Sequence, residues 1–241
     1  MFGNSLIVGS RLTKYTVISG TQSNVQLWLY FGQITEPADL YVSIPTGSEI
    51  TGLDLTGINP LSLLYITCDG YLMGNGGDGG RGYQPFQQGP PGEPDEPAVP
   101  ATPGGDGGHG LDLVCPTSID FSNGFLYAGG GGGGGGGASI YGGGGGGVHD
   151  GLGGAGGGVF SSTGTPGTAS TTGPTAVPGV GGDNGGDGGD KGEVGGPGIG
   201  PSSEVGGAAG LAIQMNGFEL VFVGKDEATL VSENRLIGSV V

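Results

Sequence analysis

Apolar and polar positions alternate through the first seventy residues. The runs Lys14–Ile18, Val25–Phe31, Leu40–Ile44 and Leu63–Thr67 are rich in β-branched and aromatic residues. Glycine, asparagine and proline separate them, as turn residues separate strands. The pattern predicts a small β-sandwich or half-barrel. No stretch repeats apolar residues at helical spacing, so essentially no α-helix is expected. Trp28, the only tryptophan, reads either as a core residue or as an anchor for a partner protein.

Beyond residue 73 the alternation gives way to glycine. Gly129–Gly137 is nine glycines in a row, and Gly142–Gly147 is six. Shorter pieces are Gly76-Gly77-Asp78-Gly79-Gly80, Gly104-Gly105-Asp106-Gly107-Gly108, Gly153-Gly154-Ala155-Gly156-Gly157-Gly158 and Gly185-Gly186-Asp187-Gly188-Gly189. Such tracts are either flexible linkers or extended three-fold helices of the polyproline II type. In the second form the backbone N–H and C=O groups point outward in three directions. Without side chains to hold them apart, parallel rods can bond laterally. Ordering glycine costs roughly 1–2 kcal/mol per residue, and a net hydrogen bond returns about 1 kcal/mol. A bundle of many tracts is therefore needed, and this chain supplies enough of them.

Three modules frame the tracts. Asp69-Gly70, Asn123-Gly124 and Asn216-Gly217 each lie between two β-like runs, the signature of a tight hairpin. Hairpin collars are therefore expected at about 61–73, 111–127 and 211–223, with a β-rich domain over 1–60 and a glycine-rich domain over 61–241. Nine residues at ~3.1 Å rise span about 28 Å, so rods running up and down place alternate loops far from the collars.

The net charge of -16, with only six basic residues, argues against binding nucleic acid or an anionic membrane. No stretch approaches the ~20 apolar residues of a membrane span, and no secretory leader is evident, so synthesis in a cytoplasm is expected. Cys68 and Cys115 lack metal-type spacing. They read as buried free thiols, with a disulfide as the alternative.

The run Phe121-Ser122-Asn123-Gly124-Phe125-Leu126-Tyr127 before Gly129 resembles the glycine-rich tip adhesins of bacteriophage tail fibres. So does Tyr71–Gly80, and the closing segments Gly206–Gln214 and Arg235–Gly238 resemble the end of related glycine-rich phage tail proteins. The resemblance implies a polyglycine II sandwich whose far-end loops touch a bacterial outer-membrane protein or surface glycan. It also implies an attachment part, here residues 1–60, that docks on a tail-fibre or baseplate protein of the virion. Exposed aromatic and polar loop residues are the expected receptor contacts: Tyr83, Phe86, Tyr141, His149 and Phe160. Each could instead fold back as an apolar lid on the rods. Trp28, Tyr30 and Phe31 are the expected contacts to the fibre. The rival reading is a structural virion part, a tail-tip cap or head-surface decoration.

Catalytic and metal signals are weak. Gly185–Asp190 opens like a calcium-binding nonapeptide, but Gly192 stands where a large apolar residue belongs. Asp187 therefore reads as a solvated side chain on a rod's outer face. Gly89–Pro94 gives two collagen-like triplets before the period breaks. No phosphate loop is present, and His109 and His149 are the only histidines. No enzyme, cofactor or metal is expected.

Overall fold

A computed structural model describes residues 11–88, 95–137, 141–159, 162–171 and 173–241. The β-prone runs form successive coils of a parallel solenoid. The first coil holds β1 (Leu12–Val17), β2 (Thr21–Ser23) and the short helix α1 (Trp28–Phe31). The second holds β3 (Ala38–Ile44) and β4 (Glu49–Thr51). The third holds β5 (Leu63–Cys68), β6 (Tyr71–Met73) and β7 (Leu111–Asp112). The fourth holds β8 (Thr117–Asp120) and β9 (Phe125–Tyr127). After an antiparallel excursion, β10 (Gly158–Val159) with β11 (Ser162–Thr163), it closes with β12 (Ile213–Gln214). The fifth holds β13 (Leu220–Phe222), helix α2 (Glu227–Ser232) and β14 (Leu236–Ile237).

Every coil adds one strand to each of two parallel sheets. One runs β1-β3-β5-β8-β13 and the other β2-β4-β6-β9-β14. A third, narrower side is made by β7 and β12 with the parallel bridges Gln26↔Asp54, Leu53↔Leu111 and Ile213↔Val240. Alternation along each strand turns apolar residues inward, where they stack in rows from coil to coil. Val42, Ile66 and Ile119 form one row, and Ile50, Leu72, Leu126 and Leu236 another. Leu53, Leu111 and Ile213 line the third side, and all these residues are buried.

The turns predicted as hairpins are arches. Asp69-Gly70 joins β5 to β6 and Asn123-Gly124 joins β8 to β9, but the joined strands lie in different sheets. Each strand pairs with its counterpart in the neighbouring coil: β5 with β8, and β6 with β9. Asn216 and Gly217 both have positive φ, as a tight turn demands, yet β12 and β13 also part to separate sheets. The expected division at residue 60 has no counterpart in the sheets, since β3 and β5 pair over six residues across it. The chain is not entirely without helix. Asp226 caps α2, its carboxylate accepting from the Thr229 N–H at 2.8 Å.

The glycine tracts leave the solenoid between its second and third sides. One excursion departs after β6 and returns at β7, the other departs after β9 and returns at β12. Within them the backbone hydrogen bonds follow a period of three. The N–H groups of Gly129, Gly132 and Gly135 donate to Gly108, Gly105 and Thr102. Those of Gly130, Gly133 and Gly136 donate to Val148, Gly145 and Gly142. Those of Gly131, Gly134 and Gly137 donate to Glu193, Gly196 and Ile199. Three further segments donate back: Gly77, Gly80 and Tyr83; Gly186 and Gly189; and Glu204, Gly207 and Gly210. Gly129–Gly137 is thus held on six sides. Gly142–Gly147 is similarly surrounded, donating in turn to 183–189, 165–168 and 77–80.

Aspartates on the outer segments complete this network. Asp78 Oδ1 accepts from the Leu152 N–H at 2.9 Å. Asp106 accepts from Ala208 and Asp187 from Gly181, both at 2.8 Å. All three are exposed, as the sequence suggested, but each also binds a backbone donor that faces outward from a neighbouring segment. Asp106→Ala is expected to cost about 1 kcal/mol, while Asp106→Asn keeps an acceptor and stays near neutral. Thermal unfolding of both variants checks this.

Candidate functional site

The alternation of segments decides which loops share an end. Gly129–Gly137 runs away from β9, and Gly142–Val148 runs back. The next reversal therefore lies beside the solenoid, not at the far end. Distal positions are the arm following Tyr83, Tyr141, Asp183-Asn184 and Ile199–Ser203.

The arm is a narrow antiparallel ribbon. Gln84 pairs with Val99 and Gln87 with Glu96, through reciprocal bonds of 2.7–2.9 Å. Its base is pinned to the bundle. Tyr83 N–H donates to Gly136 at 3.0 Å, Thr102 N–H to the Arg81 carbonyl at 2.9 Å, and the Arg81 guanidinium to the Pro100 carbonyl at 3.1 Å. The Tyr83 and Tyr141 rings lie 6.4 Å apart, so two of the predicted contacts come together. Phe86 stands on the arm with 58% of its surface exposed. Phe160 lies outside the described residues. Ile199, also exposed, belongs to the same end, where its N–H donates to Asn184 at 2.7 Å. Sequence reading missed it, although counting reversals along Gly195-Gly196-Pro197-Gly198-Ile199 would have found it.

His149 is a correction. It is fully buried beside the solenoid, and its backbone carbonyl accepts from Gly76. Neither ring nitrogen has a hydrogen-bond partner among the described residues. Burial, reinforced by the Lys191 charge, pulls its pKa down to about 4, so it is neutral at pH 7. It holds the base of the bundle and cannot touch a receptor. The unfolded chain binds this proton near pH 6.5 and the folded chain only near 4. Its contribution is fully present above pH 6.5 and is lost as pH falls towards 4, amounting to about 3 kcal/mol. The melting temperature should fall across that window, and less steeply in His149→Gln.

The three residues expected to meet a partner fibre also separate. Trp28 is 37% exposed and therefore not a core residue, and Tyr30 is exposed with its hydroxyl donating to Gln22 at 2.7 Å. Phe31 is buried in the core and drops out. α1 is only one turn long, so its successive residues point to different sides. Beside it, the outer face of the first sheet carries a stack that the sequence did not reveal. Tyr15, Tyr41 and Tyr65 are in register, with ring centroids 4.8 and 4.6 Å apart and Tyr15 74% exposed. Parallel sheets ordinarily have both faces covered, and here the aromatic face is open.

Among the described residues no three His, Cys, Asp or Glu side chains converge as a metal site. His109 Nδ1 accepts from the Leu211 N–H at 2.9 Å, and its Nε2 lies 3.9 Å from Asp112. Cys68 and Cys115 are buried and free, and burial pushes their thiols up to about 12 and about 11. No helix among the described residues is long and apolar enough to cross a membrane.

A family model described as phage tail fibre adhesin Gp38 matches residues 16–240. Among solved structures, the chain is similar to the crystal structure of the gp37-gp38 adhesin tip complex of the bacteriophage S16 long tail fiber. That likeness has 21% identity and a TM-score of 0.48, over 96% of this chain and 82% of that chain. No curated protein matches.

Proposed function

This chain belongs to the phage tail fibre adhesin Gp38 family, and from that premise we propose how it performs its role. It is an adhesin of the virion tail. The solenoid docks on a tail-fibre protein through its first coil, and the distal end binds a protein or glycan of the host surface. The glycine segments are polyglycine II helices packed as a sandwich. The three-residue period of lateral hydrogen bonds supports that reading, because a three-fold helix aims successive N–H groups at three neighbours in turn. The role is mechanical and non-enzymatic.

One observation carries the assignment of ends. The arm that bears Phe86 is fixed by backbone bonds to a bundle whose central tract is held on six sides, so its ribbon starts from a preorganised base. Tyr83, Phe86, Tyr141 and Ile199 present apolar area there. Trp28, Tyr30 and the tyrosine stack lie on the solenoid, which leaves the distal end free when a fibre covers them.

Particles lacking the protein separate this reading from a purely structural one. Intact particles that no longer adsorb support the adhesin. Failure to assemble counts for a structural part. Trp28→Ala with Tyr30→Ala should lower occupancy on purified fibres by tenfold or more, the loss of about 1.4 kcal/mol or greater at a buried aromatic anchor. Binding of the free protein to cells should remain unchanged.

A further inference from the structure

Between the third side of the solenoid and the base of the glycine bundle lies an open cleft of about 410 Å³. Its size falls in the range of small-ligand sites. We propose that this cleft binds one neutral saccharide unit. The inference goes beyond the adhesin reading, which assigns cell binding to the distal end and fibre docking to Trp28, Tyr30 and the tyrosine stack, none of which lines this cleft.

The chemistry of the walls carries the proposal. The floor is apolar, formed by Leu53, Leu55 and Val114, and suits the C–H face of a sugar ring. The rim is made of planar polar groups from different coils. Asn75 Nδ2 donates to Asn24 Oδ1 at 2.9 Å, which orients both carboxamides and leaves the Asn24 amide and the Asn75 oxygen for a ligand. Gly52 makes room for this pair, since a Cβ there would lie 2.9 Å from the Asn75 carboxamide, and its φ is +65°. The Gln26 side chain has no partner among the described residues.

Two carboxylates complete the rim. Asp54 is oriented by the Thr56 N–H and hydroxyl, at 2.8 and 3.0 Å. Asp112 follows the Leu53↔Leu111 bridge on the next coil, as Asp54 does on its own. Because His109 Nδ1 accepts a backbone N–H, its Nε2 carries the proton and is a donor into the cleft. Acceptors and donors thus share the rim of an apolar floor, the combination that vicinal hydroxyls require. Among the described residues no Lys or Arg lines the cleft, and the net charge of -16 disfavours anionic sugars.

The probes are glucose, galactose, N-acetylglucosamine and glucuronate, tested by saturation-transfer NMR on the full-length protein with and without chelator. At least one neutral sugar should show transfer at a dissociation constant of about 1 mM, and glucuronate should show none. Gln26→Ala and Asp112→Ala, both exposed positions that folding tolerates, should each weaken it about tenfold. Phe86→Ala at the distal end should leave it unchanged. Transfer abolished by the chelator, transfer that survives both cleft variants, equal transfer to glucuronate, or no transfer from any neutral sugar would each overturn the proposal. None of these outcomes bears on whether the distal end binds cells.

Discussion

Gly133→Ala is expected to abolish the folded bundle. A Cβ at this position would lie 1.9 Å from the Gly186 carbonyl oxygen and 2.5 Å from its carbon. Both are backbone atoms, so no rotamer change relieves the clash. Gly186 is itself tied on several sides, donating to Gly134 and accepting from Gly145. Moving it by the required ångström or more breaks those bonds and exposes their groups to each other without partners. Each such loss costs about 1–3 kcal/mol when buried, and several occur together. The sum rivals the ~5–15 kcal/mol that ordinarily holds a domain. Gly105→Ala is the control, because its Cβ would meet the Asp78 nitrogen at 3.1 Å, which a shift of a few tenths of an ångström relieves. Thermal unfolding with amide exchange over residues 129–147 reads both. A Gly133→Ala protein that melts with the wild type would refute the packing described here.

Exchanging the arm, residues 84–101, for that of a relative with another host should move host specificity with it. Its base is held through Tyr83, Arg81 and Thr102, so a different arm can be carried on the same anchor. A milder version is Phe86→Ala combined with Tyr83→Ala. Truncating two aromatic anchors removes about 3–4 kcal/mol, which lowers cell binding by roughly a hundredfold or more. Adsorption of reconstituted particles, beside a melting curve to show that the fold is kept, makes the measurement. Normal adsorption with both aromatics removed would place the contact elsewhere.

Much of the architecture could be read before any coordinates. Glycine tracts were expected to bond laterally, and the hydrogen bonds between segments follow a period of three. Asp69-Gly70 and Asn123-Gly124 were correctly read as sharp reversals. Their strands were not, because a hairpin and an arch use the same turn residues. What distinguishes them is the distant partner, β8 for β5, which local sequence does not encode. His149 was misplaced for a different reason. Val148-His149-Asp150 looks like any polar reversal, and only its place in the count, one reversal after Tyr141, puts it beside the solenoid. The tyrosine stack escaped notice because Tyr15, Tyr41 and Tyr65 are unremarkable singly. Register alone brings them together. The third-side strands were invisible since β7 and β12 are two residues long.

The three-residue rhythm also constrains how such a chain can change length. Adding one residue inside Gly129–Gly137 would move every later N–H one place along the period of three, towards the wrong neighbour. A whole triplet restores the aim but slides the remainder against six fixed segments. Insertions and deletions should therefore be purged from the glycine stretches and accumulate where they join. In this fold, drift in size is channelled to the tips by hydrogen-bond phase, before any selection for a new host begins.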